Sequence, residues 1–371
     1  MKSPCIVEVI QHLKPGGIES LVLDLNHFIS KDHQTYIVCL EGSFEESLTY
    51  WPKLENIKER LIFLNKPAKF DTSLFFKLAV LFKQLRATAV HTHHIGPLFY
   101  AGVAARMAMI STLVHTEHDS WYLRDDHQRN IQQKLYFWLK PTVVADAHAV
   151  SEDIEKYLNY SGSTIIHNGI DTHKFTLGNQ QKARQQFELP DNCYIVGSSG
   201  RLEPEKGHHI LIDAMTRLPK HIILVIAGFG SQYLKLKQKI FELELHNQVF
   251  LLGRVKDMPS FYHAIDLFCL PSLEEGMPLA PLEAQSCGVP VVLTTAGGSQ
   301  EALCPITGTL VPKGSSRALA SSILDASMCS QKAEPSRQFI LENADIYQTV
   351  NAYLSLFGHT TPIPPRLKHS A

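Results

Sequence analysis

Two glutamates, Glu275 and Glu283, stand eight positions apart across a turn that carries Gly276, Met277, Pro278 and Leu279. The apolar run 267–270 ahead of them reads as a buried strand. The helix behind them is expected to begin near Pro278 and to stop at Gly288, with Pro290 beyond it. Glu275 thereby falls on a loop and Glu283 on a helix. A first helical turn offers unpaired N–H groups and a positive dipole end to a phosphate, and nearby carboxylates accept from sugar or ribose hydroxyls. The combination suits a polyhydroxylated anion, as in a nucleotide-sugar pocket. The bare spacing also fits ordinary dipole chemistry, so the rest of the chain has to decide.

Two further segments carry chemistry of the same kind. The expected strand 194–198 runs into Gly200-Arg201-Leu202-Glu203-Pro204-Glu205-Lys206-Gly207, where Arg201 offers a planar fork and Lys206 a mobile ammonium to diphosphate oxygens. Solvated loop charges would look the same. The expected strand 6–10 runs into Gln11-His12-Leu13-Lys14-Pro15-Gly16-Gly17-Ile18-Glu19, whose glycines allow close backbone approach and positive φ at a helix start. This is neither G-x-G-x-x-G nor G-x-x-x-x-G-K-[ST], which excludes the dinucleotide and P-loop readings. Five histidines, His91, His93, His94, His115 and His118, gather at two expected strand ends. His91 and His93 share one face of a strand, but no carboxylate or cysteine joins them at a ligand spacing, so no metal site is expected. His118 suits hydrogen bonding or proton handling near neutral pH, with Asp119 placed to orient it.

The elements that position these residues alternate strand and helix twice. Expected strands at 6–10, 36–40, 61–64, 89–92, 112–116, 143–146 and 164–167 form a first series, with helices starting after Gly16-Gly17, at Asp71 and at Ser151. A polar, glutamine-rich stretch, 171–192, reads as a linker. Strands at 194–198, 222–227, 249–252, 267–270 and 291–294 form the second series. The economical fold is α/β, with two doubly wound Rossmann-like domains, 1–170 and 193–345, facing a central cleft and a last helix within about 346–371 packing back on the first. The length of 371 residues, 44% of them hydrophobic, suits two domains, and the net charge of −1 gives no field for nucleic acid. Seven scattered cysteines without C-x-x-C imply reduced, mostly buried thiols and a cytoplasmic chain. No signal peptide follows Met1, and the apolar stretch 95–114 is broken by Arg106, Ser111 and Thr112. The segment 127–140 mixes basic and aromatic residues, which fits a helix lying on an anionic membrane as well as one with a face in the core.

Taken together, these segments resemble retaining glycosyltransferases of family 4. Glu275 to Glu283 resembles the family's E-x7-E region, Gly200 to Gly207 its G-R-L-x-x-x-K-G loop, Gly16 to Glu19 its G-G-x-E loop and Thr116 to His118 its T-x-H segment. Asn168-Gly169-Ile170-Asp171, the base-binding loop Gly253-Arg254-Val255-Lys256-Asp257 and 295–301 follow in the family's order, so the likeness covers roughly 6–311. Pro281, inside the expected E-x7-E helix, is a departure tolerable only in a first turn. The resemblance implies the GT-B architecture and metal-independent, cofactor-free transfer of a sugar, with retention, from a nucleotide diphosphate sugar to a hydroxyl of a saccharide or lipid-linked saccharide. It implies donor binding by Gly16, Gly17, Arg201, Lys206, Val255, Glu275, Gly276, Met277, Pro278, Leu279 and Glu283. His118, Glu275, Arg201 and Lys206 are its implied catalytic residues, Glu275 on the transferred sugar and Glu283 on the ribose. Cell-surface polysaccharide or glycolipid synthesis at the inner face of the membrane is the implied setting. A nucleotide-sugar epimerase or hydrolase, or a silent nucleotide-sugar-binding subunit, are the alternatives on the same scaffold.

Overall fold

A computed structural model describes residues 5–329 and 333–359. They form two compact units, one made of the chain up to Asn168 together with the segment from Ile346, the other of Gly169–Asp345.

The first unit holds seven parallel strands, β1 (Cys5–Ile10), β2 (Gln34–Cys39), β3 (Leu61–Phe63), β4 (Ala89–His93), β5 (Thr112–Glu117), β6 (Thr142–Ala145) and β7 (Thr164–Ile165), in the order β3-β2-β1-β4-β5-β6-β7. Every residue of β1 and β4 is buried, as expected where helices cover both faces of a parallel sheet. The order reverses between β1 and β4, which opens a crevice at their carboxyl ends. The helix Gly17–Ile29 packs through Leu21, Val22, Leu25, Phe28 and Ile29, the spacing of one helical face. The last helix, Ile346–Leu356, belongs to this unit. Its Tyr347 ring stands 5.0 Å from Phe28, and its fully buried Tyr353 reaches Thr116 Oγ1 at 3.0 Å. Residues 360–371 lie outside the described residues.

The second unit holds β8 (Tyr194–Ser199), β9 (Ile222–Ala227), β10 (Val249–Gly253), β11 (Leu267–Leu270), β12 (Val291–Thr294) and β13 (Gly308–Val311), all parallel, in the order β10-β9-β8-β11-β12-β13. Its reversal lies between β8 and β11. A core of Val196, Leu211, Leu224, Ile226, Leu267 and Leu319 joins the sheet to its helices, and each such side chain contributes about 1.5–3 kcal/mol by leaving water.

Four local expectations need correction. Strand β13 was absent from the sequence reading because an edge strand pairs on one side only, with β12, and its pattern is mostly half-exposed. The stretch 171–192 is not a free linker. It contains the helix Gln180–Gln186, and Arg184, almost fully buried, donates to Asp266 Oδ2 at 2.6 Å and to the carbonyl of Ala264 at 3.1 Å. One buried arginine thus ties down a segment whose remaining composition looks solvated. The helix expected at Ser151 begins at His148, and the helix expected at Asp71 begins at Ser73, where the Asp71 carboxylate accepts from the Ser73 N–H at 2.9 Å.

Candidate active site

In the second unit the loops after β8 and β11 touch backbone to backbone. The turn Pro204–Lys206 ends on Gly207 in the left-handed region at φ 64°, where a Cβ would stand 2.1 Å from the Pro271 carbonyl oxygen. The N–H of Leu273 donates to the carbonyl of Glu205 at 2.7 Å. This clasp brings Lys206 Nζ to 2.7 Å from Glu275 Oε1, which also accepts from Ser272 Oγ at 2.6 Å. Glu275 is 8% exposed, so its charge is balanced at short range where water screens poorly. A third loop closes on it from β12: Gly297, at φ 49°, is so tight against Glu275 that a Cβ would lie 1.8 Å from the Glu275 carbonyl oxygen.

The helix after this loop is Leu279–Ser286, with Pro278 at its N-cap in an extended conformation and no side chain capping it. Pro281 is therefore its third residue, inside the first turn, where a missing N–H costs no helical hydrogen bond. The open N–H groups of this turn follow directly on buried Gly276, Met277 and Pro278. Glu283, one turn along, accepts from the Tyr262 hydroxyl at 2.7 Å, and the same hydroxyl lies 3.2 Å from Ser199 Oγ at the end of β8. Burial first and Glu283 second push the Tyr262 phenol well above its ordinary value, so it stays a donor. Arg201 is exposed and pairs with Glu205 at 3.1 Å, and Val255 sits half-buried in the loop after β10. Asp257 caps the next helix through the Ser260 N–H at 3.3 Å, as its position implied.

The first unit presents a different assembly at the carboxyl ends of β1, β4 and β5. Glu8, 1% exposed, places Oε2 at 2.8 Å from His91 Nδ1 and 3.0 Å from His93 Nε2. His93 Nδ1 meets His118 Nε2 at 2.8 Å, and His118 Nδ1 faces Asp146 Oδ2 at 3.6 Å, an oxygen that accepts from the Asn168 side-chain amide at 3.1 Å. Burial alone would raise the Glu8 carboxyl, but His91 and His93 outweigh it and hold it at about 2. Burial lowers His93 well below its ordinary value, His118 to about 3 and His94 to about 4, with neighbouring imidazoles adding to each. A second buried carboxylate, Glu117, accepts from Tyr136 at 2.9 Å and from Gln132, and contacts His115 Nε2 at 2.9 Å.

A carboxylate thus does join His91 and His93, contrary to the sequence expectation. Their ligand atoms and those of Glu8 all lie within 4.8 Å of one another, with His93 Nε2 hydrogen-bonded to Glu8 Oε2 and His91 Nδ1 2.8 Å from the same oxygen. The partner was hidden because it lies 83 positions from His91, made adjacent by the β1–β4 register that sets Glu8 beside His91. The signal that could have found it is an acid inside the otherwise apolar run Cys-Ile-Val-Glu-Val-Ile. The glycine loop is corrected too: Gly16 has the extended φ of −165°, and what it provides is space, since a Cβ would stand 2.2 Å from the Glu19 carboxylate.

Two family models divide the chain between them, Glycosyltransferase Family 4 over residues 15–174 and Glycosyl transferases group 1 over residues 179–343. This chain belongs to the group 1, family 4 glycosyltransferases. Among relatives, the Escherichia coli UDP-Gal:alpha-D-GlcNAc-diphosphoundecaprenol alpha-1,3-galactosyltransferase is 30% identical over 246 residues, which are 62% of this chain and 63% of that protein. The lipopolysaccharide core biosynthesis mannosyltransferase LpsB of Rhizobium meliloti is 32% identical over 162 residues, 41% of this chain and 46% of that protein. The chain therefore spans less than two thirds of the length of these relatives. The crystal structure of HepE from Anabaena, in complex with UDP and glucose, superposes with a TM-score of 0.85 over 96% of this chain and 99% of that one, at 23% identity, which establishes the GT-B fold.

For a family 4 chain, the sequence-derived residues sort into two groups. Lys206, Glu275, Gly276, Met277, Pro278, Leu279 and Glu283 converge around one loop–helix junction at the β8–β11 reversal, with Arg201 on the facing loop. Gly16, Gly17 and His118 occupy the equivalent reversal of the other unit. Ser272 and Tyr262, which hold Glu275 and Glu283 in place, were assigned no role from the sequence, whereas Gly297, which packs against Glu275, falls in the segment 295–301 that follows the family's order.

Proposed function

We propose that this protein transfers a sugar, with retention at the anomeric carbon and without a metal ion, from a nucleoside diphosphate sugar to a hydroxyl acceptor. The observation that carries this reading is the Lys206–Glu275–Ser272 cluster beside the open first turn of the helix Leu279–Ser286. Lys206, Arg201 and the helical N–H groups would meet the charge that grows on a leaving diphosphate, which is preorganised electrostatics of the oxyanion-hole kind. Glu275, released from Lys206 as the ammonium turns to phosphate, would accept from sugar hydroxyls, and Glu283 from the ribose. His118 would hydrogen bond to the sugar or its acceptor, beside the Gly16-Gly17 loop.

A lipid-linked saccharide is the acceptor class we favour, in cell-surface polysaccharide or glycolipid synthesis, in keeping with the E. coli and Rhizobium relatives. No helix among the described residues is long and apolar enough to cross a membrane. The helix Asp126–Leu139 buries Gln132, Leu135, Tyr136 and Leu139 but leaves Phe137 and Trp138 69% and 76% exposed, which supports peripheral contact with an anionic bilayer.

Thermal melting with UDP, GDP, ADP and their sugars identifies the donor, since a ligand that binds the folded state raises its stability by mass action. NMR of the product made from that donor, with EDTA in excess, then tests the chemistry. Retained configuration is expected. Inversion or a strict metal requirement would overturn the mechanism, and donor turnover without an acceptor would replace transfer by hydrolysis or epimerisation.

A further inference from the structure

Two imidazoles, His93 and His118, form a wire with a carboxylate at each end, Glu8 beyond His93 and Asp146 beyond His118. When both rings are neutral the wire has two self-consistent arrangements. Either His118 Nε2–H donates to His93 Nδ1 and His93 Nε2–H donates to Glu8, or every bond reverses and His118 Nδ1–H points at Asp146. Each arrangement leaves one carboxylate facing a bare nitrogen lone pair. In the first that cost falls at 3.6 Å, beyond hydrogen-bond reach, on an Asp146 that also takes the Asn168 amide; in the second it falls at 3.0 Å on Glu8. At full burial the shorter repulsion is the costlier. Glu8 is also ionised and His93 neutral near pH 7, which removes the protonation states that would blur the choice.

We propose that Glu8 and His93 are positioning residues that fix His118 as its Nε2–H tautomer and so present Nδ1 as a fixed hydrogen-bond acceptor to a hydroxyl of the reacting sugars. His118 Nδ1 has no hydrogen-bond partner among the described residues, its Asp146 neighbour stands 3.6 Å away, and the residue keeps 5% exposure, so a ligand's donor is what would satisfy its lone pair. The reach is from β1 through β4 to the residue after β5, three neighbouring strands of one sheet. His91 takes the second side of Glu8 Oε2 and passes on to Thr116 Oγ1 at 2.7 Å, which anchors the carboxylate from the far side. The role in sugar handling rests on the function proposed above; the tautomer does not.

The test therefore has two independent readouts. Long-range 1H–15N correlation spectra of histidine-labelled protein, with His118 assigned by its loss in His118→Gln, should give a protonated Nε2 and a bare Nδ1 at pH 7. A protonated Nδ1 overturns the proposal whether or not the protein is a transferase. Transfer kinetics then compare His93→Gln, whose amide can donate to Glu8 and accept from His118, with His93→Leu, which can do neither. His93→Leu and Glu8→Gln should lower kcat by about tenfold, the worth of one hydrogen bond of about 1.4 kcal/mol, with nucleoside diphosphate affinity near wild type and kcat read well below each variant's own melting transition. His93→Gln should recover most of the loss. Equal losses in both His93 variants would reduce the residue to packing, and one tightly bound metal ion per chain, lost in Glu8→Gln, would make Glu8 a ligand instead. If wild type transfers nothing while its Nε2–H tautomer stands, the functional proposal fails and the wire survives.

Discussion

Both units wind a parallel sheet with the same reversal, β1 against β4 in one and β8 against β11 in the other, and both gather polar side chains there. The chemistry placed at the two crevices is opposite. The second unit uses long cations on loops, Lys206 and Arg201, each matched to a glutamate and left partly open to solvent. The first uses short imidazoles on strands and, at His118, just past one, almost wholly buried and ordered by two buried carboxylates, Glu8 and Glu117. A loop cation can leave its partner when a phosphate arrives, whereas a strand imidazole in a closed network cannot move without breaking several bonds. On the function proposed above, the shared fold fixes where binding would happen, and the rigidity of the carrying element decides whether the residue would exchange partners or hold still.

The contrast can be broken most directly at Glu275. Glu275→Gln should lower sugar transfer by about a hundredfold or more, the scale for losing one preorganised contact to the transition state, while nucleoside diphosphate affinity changes little. Product assays and calorimetry on the same preparation decide it, and a fully active variant removes Glu275 from the chemistry.

Acid should distinguish the units next. The Glu8 carboxyl is depressed to about 2, so its contribution, on the order of 3 kcal/mol, is present above its unfolded value and is lost as pH falls from about 4.5 towards 2. His118 and His94 are depressed to about 3 and 4, so they also favour the folded state above about 6.5 and withdraw that support on acidification. Both signs agree. The second unit carries one comparably depressed histidine, His208, at about 3. Trp51, Trp121 and Trp138 are the only tryptophans in the sequence, and all lie in the first unit. Their fluorescence should therefore change at a higher pH than nucleoside diphosphate binding is lost, and Glu8→Gln should flatten the part of the stability curve below about pH 4.5. Coincident transitions with an unchanged curve would refute the assignment.

Smaller effects sharpen the picture. Lys206→Ala should weaken nucleoside diphosphate binding by about 1.5–3 kcal/mol, more than Arg201→Ala, because Lys206 is 18% exposed against 50% for Arg201 and its contact is less screened. Titration calorimetry at two salt concentrations gives both values. Tyr262→Phe should cost about 1 kcal/mol of stability and weaken the nucleotide only several-fold, by freeing Glu283 from one donor.

The second crevice was the more legible of the two in sequence, for a physical reason. Its residues come from contiguous loops, so Arg201 with Lys206 and Glu275 with Glu283 kept their spacing in the chain, and the first-turn position of Pro281 followed once the helix start at Leu279 was known. The first crevice is assembled across strands, so Glu8, His93 and His118 look unrelated until the strand register sets them side by side. Most strands were readable from their apolar runs. Strand β13 and the helix Gln180–Gln186 were not, because their stabilisation comes from one neighbouring strand and one buried arginine rather than from pattern.

Gly297 has a consequence outside chemistry. With Glu275 pressed against it, any added side chain must displace the strand-to-helix loop that carries the carboxylate, and its φ of 49° adds strain for any other residue. Naturally occurring or laboratory variants at this position would be collected by a screen for lost activity and then set aside, since a residue with no functional group invites no mechanistic interest. They would nonetheless report on the same carboxylate as a mutation of Glu275 itself, and a second-site suppressor that restores room in the loop would map that dependence genetically.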